Sequence, residues 1–408
     1  MFHWKKTMYK SICVSFAVVI AITILQRSTT PDQYTVENAE EDEDDENDYF
    51  PLVSIRHLKR DLYAAPDSFW EVNLQTAVSQ TSNSTEKLHK TVWDVITSNC
   101  TVNNSFTNLD WFAGLGDNFQ QFLLYRHCRY FPIIINHPEK CAEDIYLLIV
   151  VKSIITQHDR REAIRRTWGK AREVDGKKIR TLFLLGTAVK EEERANYQKL
   201  LDYEDYIYHD ILQWDFLDSF FNLTLKEVHF LKWFDTYCTN VKYIFKGDDD
   251  VFVSPDNILE YLDGKKVPDL FVGDILYKAK PIRKTENKYY IPEALYNKTH
   301  YPPYAGGGGF LMDSGLARKL YVACETLDLY PIDDVFLGMC LQVLKVQPIR
   351  HLGFKTFGLV KNKDSKLNKE PCFFKSMLVV HKLLPSELLN MSELVKHNLN
   401  CSKKYEVV

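Results

Sequence analysis

The chain has 408 residues, of which 45% are hydrophobic and 26% are charged, a balance typical of a folded protein with an extensive core. Glycine and proline are too scarce for a collagen-like or low-complexity chain, and no repeat of about 20–50 residues indicates a solenoid or propeller. The formal net charge of -4, with no basic stripe among the aromatic residues, argues against a nucleic-acid partner.

The N-terminus combines basic residues with an apolar segment. Three lysines precede an apolar run from Ile12 to Leu25. We predict a cytosolic tail at residues 1–10 and a signal-anchor transmembrane helix at 11–26, with the rest of the chain lumenal, because lysines favour the cytosolic side. A cleaved signal peptide is the alternative, although no A-x-A-like cleavage site follows the run.

An acidic segment follows the predicted anchor. Residues 37–48 read ENAEEDEDDEND, and such a block repels itself and stays extended. We interpret it as part of a disordered, solvated stem at residues 27–66 rather than as a calcium buffer. The folded part of the chain is therefore expected after this stem.

Sequons and cysteines agree with a lumenal location. Seven N-x-[ST] sequons begin at Asn83, Asn99, Asn103, Asn222, Asn297, Asn390 and Asn400. The eight cysteines beyond the apolar run are Cys100, Cys128, Cys141, Cys238, Cys324, Cys340, Cys372 and Cys401. An even number permits up to four disulfides, whose pairing the sequence does not determine.

Strand-like and helix-like segments alternate from residue 145 onward. We predict strands at Ile145–Val151, Thr181–Leu185, Tyr206–His209 and Val241–Phe245, and helices at 160–169, Val189–Leu201 and Phe220–Trp233. Such alternation predicts an α/β fold, with a mostly parallel sheet and helices on both faces. Ligands of these sheets bind at the carboxyl ends of the strands.

An acidic cluster directly follows the last of these strands. Asp248–Asp250 lie between two apolar, strand-like segments, and three adjacent carboxylates repel one another unless a cation joins them. Oxygen ligands favour Mg²⁺ or Mn²⁺, whereas the alternative of a solvated turn would have polar flanks. Arg160, Arg161 and Arg165 either meet a diphosphate or form a solvated helical face.

Three further segments supply candidate site residues. Gly306–Gly309 has aromatic and apolar flanks, so it permits close approach of the backbone to a ligand or forms a tight turn. Asp333 and Asp334 precede a helix-like stretch, where they either cap the helix or supply a general base. His381 follows an apolar run and is either structural or a ligand for Mn²⁺.

In combination, these segments resemble the β-1,3-glycosyltransferases of the galactosyltransferase type, and among them most closely the β-1,3-N-acetylglucosaminyltransferases. The matching segments are REAIRRTWG (161–169), FFNLTLKE (220–227), FKGDDDVFV (245–253), LFVGD (270–274), YYIPEALY (289–296), YPPYAGGGGFL (301–311) and YPIDDVFLGMCL (330–341). The resemblance covers about Cys141 to His381. Galactosyl-transferring members usually have a Cys-Ser-Gly type sequence in place of Ala305–Gly309, which favours N-acetylglucosamine as the donor sugar.

The resemblance implies a GT-A-type, Rossmann-like catalytic domain at residues 141–401, preceded by an N-terminal lumenal extension at 67–140. It also implies Mn²⁺, a UDP-sugar donor and a single-pass type II protein of the Golgi membrane. By position in the family's motifs, it assigns Asp334, with Asp333 beside it, as catalytic, Asp250 and His381 as metal ligands, and Lys152, Arg160, Arg165, Asp248, Asp249, Gly307 and Gly308 as contacts of the nucleotide sugar.

The implied reaction is transfer of N-acetylglucosamine from UDP-GlcNAc to the 3-hydroxyl of a galactose-ended glycan on protein or lipid, in β linkage and with inversion. Extension of poly-N-acetyllactosamine or of O-glycans is the expected role. The alternatives are a β-1,3-galactosyltransferase that uses UDP-Gal, and a non-catalytic lumenal binding protein of the same fold. Assembly into homo-oligomers, or with other glycosyltransferases, is left open.

Overall fold

The computed structural model describes residues 92–97, 100–265, 267–358, 365–397 and 399–401. The predicted tail, anchor and stem lie outside these residues, as do the first part of the predicted extension and the sequons at Asn83 and Asn99. Within the described part of the chain, no helix combines the length and the apolar composition that crossing a bilayer requires.

Helices and strands alternate through the described residues. The strands are β1 (Ile133–Ile135), β2 (Ile145–Lys152), β3 (Arg172–Val174), β4 (Lys177–Thr187), β5 (Ile211–Leu217), β6 (Val241–Asp248), β7 (Val251–Val253), β8 (Phe271–Leu276), β9 (Tyr304–Asp313), β10 (Ile349–Arg350), β11 (Phe354–Lys355) and β12 (Val379–His381). The α-helices are α1 (Asp117–Tyr125), α2 (His158–Arg166), α3 (Glu191–Tyr208), α4 (Leu223–Tyr237), α5 (Pro255–Leu262), α6 (Ser314–Thr326), α7 (Asp333–Leu344), α8 (Pro371–Ser376) and α9 (Pro385–Lys396).

The main sheet is mixed rather than mostly parallel. Its strand order is β1-β5-β4-β2-β6-β9-β8-β10, with β3 paired to β4. Strands β5, β4, β2 and β6 are parallel as predicted, whereas β9 runs antiparallel to both β6 and β8. A parallel neighbour needs a crossover connection, and residues 277–303, all of them described, contain no helix between β8 and β9. A second sheet has the order β11-β12-β7.

Strand β2 is buried on both faces because its side chains alternate between two hydrophobic clusters. Leu148 and Val150 belong to a cluster with apolar residues of α1, α4, α6 and α7. Leu147 and Ile149 belong to a second cluster, with residues of α2, α5 and α9. A continuous apolar run is the pattern of a strand covered on both faces. The strand ends at Lys152, which pairs with Asp248 at the end of the parallel strand β6, so the two carboxyl ends lie side by side.

The predicted strand at Tyr206–His209 is wrong. These residues form the last turn of α3 and its C-cap, His209, which leaves the helix in the left-handed region with a φ of 49°. Tyr206 and Ile207 are 75% and 49% exposed, so their apolar character reflects an exposed helix end instead of a buried strand. The third parallel strand begins later, at Ile211.

Three disulfides join cysteines of the described residues. They are Cys100–Cys128, Cys141–Cys238 and Cys372–Cys401. Two further cysteines, in α6 and α7, are free and buried. The structure therefore pairs six of the eight cysteines for which the sequence permitted four disulfides.

Candidate active site

The acidic cluster meets a histidine where the two sheets adjoin. Strand β12 pairs antiparallel with β7, which places His381 opposite Val251. Nε2 of His381 lies 3.0 Å from Oδ1 of Asp250 and 3.8 Å from Oδ2 of Asp248. Burial opposes a charge on this imidazole, but the two carboxylates outweigh that effect and raise the pKa of His381. The register of a short strand pair thus brings two distant parts of the chain together.

Asp248, Asp250 and His381 fit a divalent cation. One ligand atom from each residue lies within 4.8 Å of the others. Nδ1 of His381 lies 2.9 Å from the carbonyl oxygen of Thr356, which can only accept, so Nδ1 carries a proton and Nε2 faces the aspartates. A histidine oriented in this way by a second partner is typical of metal ligands, and two carboxylates with an imidazole suit Mn²⁺.

Asp249 points to the loop after β2 instead of to His381. Its Oδ2 accepts a hydrogen bond of 2.7 Å from the hydroxyl of Ser153, and its Oδ1 accepts one of 3.0 Å from Arg160. The same guanidinium lies 3.6 Å from Oδ2 of Asp250. Arg160 therefore lies at the edge of the candidate metal centre, and its contact with the nucleotide sugar stays a prediction.

Lys152 connects the acidic cluster to the start of α7. Its Nζ lies 2.7 Å from Oδ2 of Asp333 and 3.1 Å from Oδ1 of Asp248. Burial alone would lower the pKa of this lysine, but the carboxylates of Asp248 and Asp333 raise it well above its ordinary value. The ammonium group is therefore charged, and it offsets part of the negative charge of the site.

Asp333 and Asp334 occupy the first turn of α7 but do not cap it. The N-cap residue is Ile332, whose side chain makes no capping hydrogen bond. Asp333 is buried against Lys152, whereas Asp334 is half-buried. Burial and the neighbouring charge of Asp333 raise the pKa of Asp334 well above that of an ordinary aspartate. Asp334 is therefore a carboxyl group with an increased affinity for protons.

The four-glycine run lies in strand β9, so the alternative of a tight turn is wrong. A Cβ atom at Gly307 would lie 3.3 Å from Oδ2 of Asp334 and 3.4 Å from Oδ2 of Asp248. A Cβ atom at Gly308 would lie 3.1 Å from Cβ of His381. The missing side chains therefore leave space between the carboxyl group of Asp334 and the candidate metal ligands.

Two of the three arginines proposed from the sequence to meet a diphosphate, Arg161 and Arg165, do not reach the cluster. Arg161 is 0% exposed and pairs with Glu204 at 2.7 Å. Arg165 binds acidic residues in the same part of the fold. Its Nε and one terminal nitrogen donate to Asp210 at 2.9 and 2.8 Å, and its other terminal nitrogen lies 2.7 Å from Glu204. The guanidinium also stacks 4.0 Å from the ring centroid of Tyr208. These contacts join α2 to the end of α3, which is a structural role.

Sequence analysis missed two buried charged residues that support the site. Glu227, in α4, forms an ion pair with Lys246 of β6, and its Oε1 lies 3.9 Å from Nζ of Lys152. Both residues are at most 1% exposed. The sequence did contain an indication of this pair, namely a charged residue within an otherwise apolar strand or helix. Such a residue is rarely buried without a partner, so it predicts a buried ion pair.

Residues 159–351 match a family model described as Galactosyltransferase. The chain is 58% identical over 410 residues to "UDP-GlcNAc:betaGal beta-1,3-N-acetylglucosaminyltransferase 7" of Rattus norvegicus, and 57% identical to the protein of that name from Mus musculus. Each alignment covers 99% of both chains. "N-acetyllactosaminide beta-1,3-N-acetylglucosaminyltransferase 3" of Homo sapiens is 44% identical, over 76% of this chain and 84% of its own length.

Proposed function

The chain belongs to the family of β-1,3-N-acetylglucosaminyltransferases, and we propose that it transfers N-acetylglucosamine from UDP-GlcNAc to the 3-hydroxyl of a galactose-ended glycan. The names of the relatives support this donor over UDP-Gal. The observation that carries the proposal is the space at Gly307, with Asp334 on one side and Asp248 on the other. A base can activate the acceptor hydroxyl, and a bound cation can stabilise the leaving diphosphate.

Asp248, Asp250 and His381 would hold Mn²⁺ in this proposal. When bound, the cation supplies a Lewis acid for the diphosphate of the leaving UDP. Arg160, which lies 3.6 Å from Asp250, adds a positive charge at the same side of the site. Lys152 contacts both Asp248 of the acidic cluster and Asp333 in the first turn of α7. It therefore fixes the position of α7 relative to the proposed metal ligands.

Asp334 is the base in the proposed reaction. It takes the proton of the acceptor 3-hydroxyl as that oxygen attacks the anomeric carbon from the face opposite UDP, which inverts the configuration. A positioned base typically contributes about 10²–10⁴ in rate. Base catalysis requires the ionised form, which the charge of Lys152 favours, while burial and Asp333 make the carboxylate a stronger base.

We also propose a GT-A fold for the mixed α/β domain and a type II location in the Golgi membrane. Three disulfides support an oxidising compartment. Asn103, Asn297 and Asn390 are exposed, as glycan acceptors must be. The apolar run near the N-terminus supplies the proposed anchor.

Mass spectrometry of the products tests the function. The full-length chain is incubated with a galactose-ended acceptor, Mn²⁺ and either UDP-GlcNAc or UDP-Gal, with chelator in matched reactions. We expect one N-acetylhexosamine to be added, only with UDP-GlcNAc and only without chelator, and linkage analysis to identify 3-substituted galactose. Addition of a hexose would favour the galactosyltransferase alternative, and no addition with either donor would favour a binding protein.

A further inference from the structure

The two free cysteines of the described residues face each other between two packed helices. Cys324 lies in α6 and Cys340 in α7, and their Sγ atoms are 3.3 Å apart. Both side chains are 0% exposed. A disulfide has an S–S distance of about 2.05 Å, so closing the pair requires an approach of only roughly 1.2 Å.

We propose that Cys324 and Cys340 form a fourth disulfide in the mature protein. The six other cysteines of the described residues are already bonded in pairs, which is the chemistry of an oxidising compartment. In such a compartment, each of these two thiols is within reach of the other, and the other cysteines of the described residues are already paired. This inference is independent of the proposed transfer reaction.

The bond forms by exchange with the disulfide of a thiol–disulfide oxidoreductase. A thiolate of one cysteine attacks that disulfide, which gives a mixed disulfide and releases one oxidoreductase thiolate. The thiolate of the second cysteine then displaces the other oxidoreductase sulfur. Two protons and two electrons leave the pair, and the oxidoreductase becomes a dithiol.

Burial determines when this exchange takes place. Burial and the adjacent Cys340 raise the pKa of the Cys324 thiol well above its ordinary value, so little thiolate exists once the helices have packed. The exchange therefore precedes the final packing of α6 against α7, and the finished bond is protected from reductants. Because α7 begins with Asp333 and Asp334, the bond also ties the helix that carries the proposed base to α6.

Peptide mapping tests the proposal directly. The full-length chain, expressed through a eukaryotic secretory pathway, is denatured and alkylated without reductant, then digested with trypsin and an endoproteinase specific for glutamate. Cleavage after Lys319, Glu325 and Lys345 separates LYVACE (320–325) from TLDLYPIDDVFLGMCLQVLK (326–345). We expect these peptides to be linked, with a mass two hydrogens below their sum. Recovery of both peptides as alkylated monomers would overturn the proposal.

Substitutions provide a second readout that does not depend on digestion. Cys324→Ala and Cys340→Ala should each lower the melting temperature by roughly 5 °C or more. The double variant should melt close to the single variants, because either substitution already removes the bond. Additive shifts would show two independent thiols and would contradict the proposal. Each single variant should also expose one new alkylatable thiol after denaturation.

Discussion

The ammonium group of Lys152 lies 2.7 Å from the carboxylate of Asp333, which joins the end of β2 to the first turn of α7. Both side chains are buried, at 7% and 8% exposure. Because Lys152 also contacts Asp248, one ammonium group connects the candidate metal centre to the helix that carries the proposed base. The pair therefore determines how far Asp334 stands from the candidate metal ligands.

Lys152→Met should destabilise the fold and abolish transfer. Removing one partner of a buried ion pair typically costs about 3–5 kcal/mol, because the other charge is left buried and alone. Urea unfolding measures this loss. Lys178→Met is the matched control, since Lys178 pairs with Glu143 at the surface and its loss should leave unfolding unchanged. Equal midpoints for Lys152→Met and the wild type would refute the structural role.

Asp334→Asn should lower the transfer rate by about 10²–10⁴ or more and leave UDP affinity nearly unchanged. The amide keeps the shape of the side chain but cannot take the proton of the acceptor. Initial rates and calorimetric titration with UDP and Mn²⁺ separate the two effects. Asp333→Asn is the comparison. It should also reduce the stability of the fold, because it removes one of the negative charges that pair with the buried ammonium group of Lys152. Normal turnover in Asp334→Asn would require another base.

His381→Ala should raise the Mn²⁺ concentration needed for half-maximal activity by about tenfold or more. The substitution removes the imidazole that faces Asp248 and Asp250. Even the loss of a group that only orients a metal ligand typically weakens metal binding about 10–100-fold. A titration with Mn²⁺ gives the shift, and His397→Ala, at an exposed histidine, is the control. An unshifted titration would remove His381 from the metal site.

Arg160→Ala and Arg165→Ala should have different effects. We expect Arg160→Ala to raise the KM for UDP-GlcNAc by about 10–100-fold, the value of a charged hydrogen bond. Arg165→Ala should instead leave KM unchanged and reduce stability by about 3–5 kcal/mol, because it removes the charged partner of the buried Asp210. Glu204 keeps its ion pair with Arg161. Steady-state kinetics and urea unfolding of both variants test the contrast. A raised KM for Arg165→Ala with an unchanged KM for Arg160→Ala would instead indicate that Arg165 binds the nucleotide.

Acid should weaken the fold through His229. Burial lowers the pKa of His229 to about 3. Its Nδ1 donates to the Leu225 carbonyl at 2.7 Å, and its Nε2 accepts from the backbone N–H of Phe131 at 3.0 Å, so the folded protein requires the neutral ring. Below pH about 6.5 the unfolded chain binds a proton that the folded chain excludes. Stability then falls with decreasing pH, by up to about 1.4 kcal/mol per pH unit for this group.

The slope of stability against pH isolates this contribution. Urea unfolding at several values between pH 6.5 and 4.5 should give a shallower slope for His229→Gln than for the wild type, whatever the absolute stability of the variant. His397→Gln, at an exposed position, should keep the slope of the wild type. Parallel slopes for His229→Gln and the wild type would show that His229 is protonated in the fold.

Sequence predicted those parts of the site that depend on local pattern. The apolar run of β2 was recognisable because a strand covered on both faces is almost continuously hydrophobic, and the aspartates at the end of β6 stood out against such a run. The arginines of α2 could not be assigned to different roles in this way. Arg160 and Arg165 are five residues apart, or about 140° around a helix, so they point in different directions. Only the packing of α2 against α3 determines which one faces the site.

The remaining differences depend on contacts between distant residues. Glu227 of α4 and Lys246 of β6 neutralise each other in a buried ion pair. Neither sequence segment alone identifies the partner residue. The antiparallel strand β9 follows from a long connection without a crossover helix, which composition does not show. Tyr206 and Ile207 were assigned to a strand because the sequence does not show whether an apolar residue is exposed or buried.

His381, the last of the proposed ligands, comes late in the chain and is enclosed by the loop that Cys372 and Cys401 close. A ribosome therefore adds about 130 residues after Asp250 before the imidazole can reach that carboxylate. A stop codon between positions 334 and 381 would release a product with both aspartates and the proposed base but without the third proposed metal ligand. Nonsense variants in this interval should thus be as inactive as earlier ones.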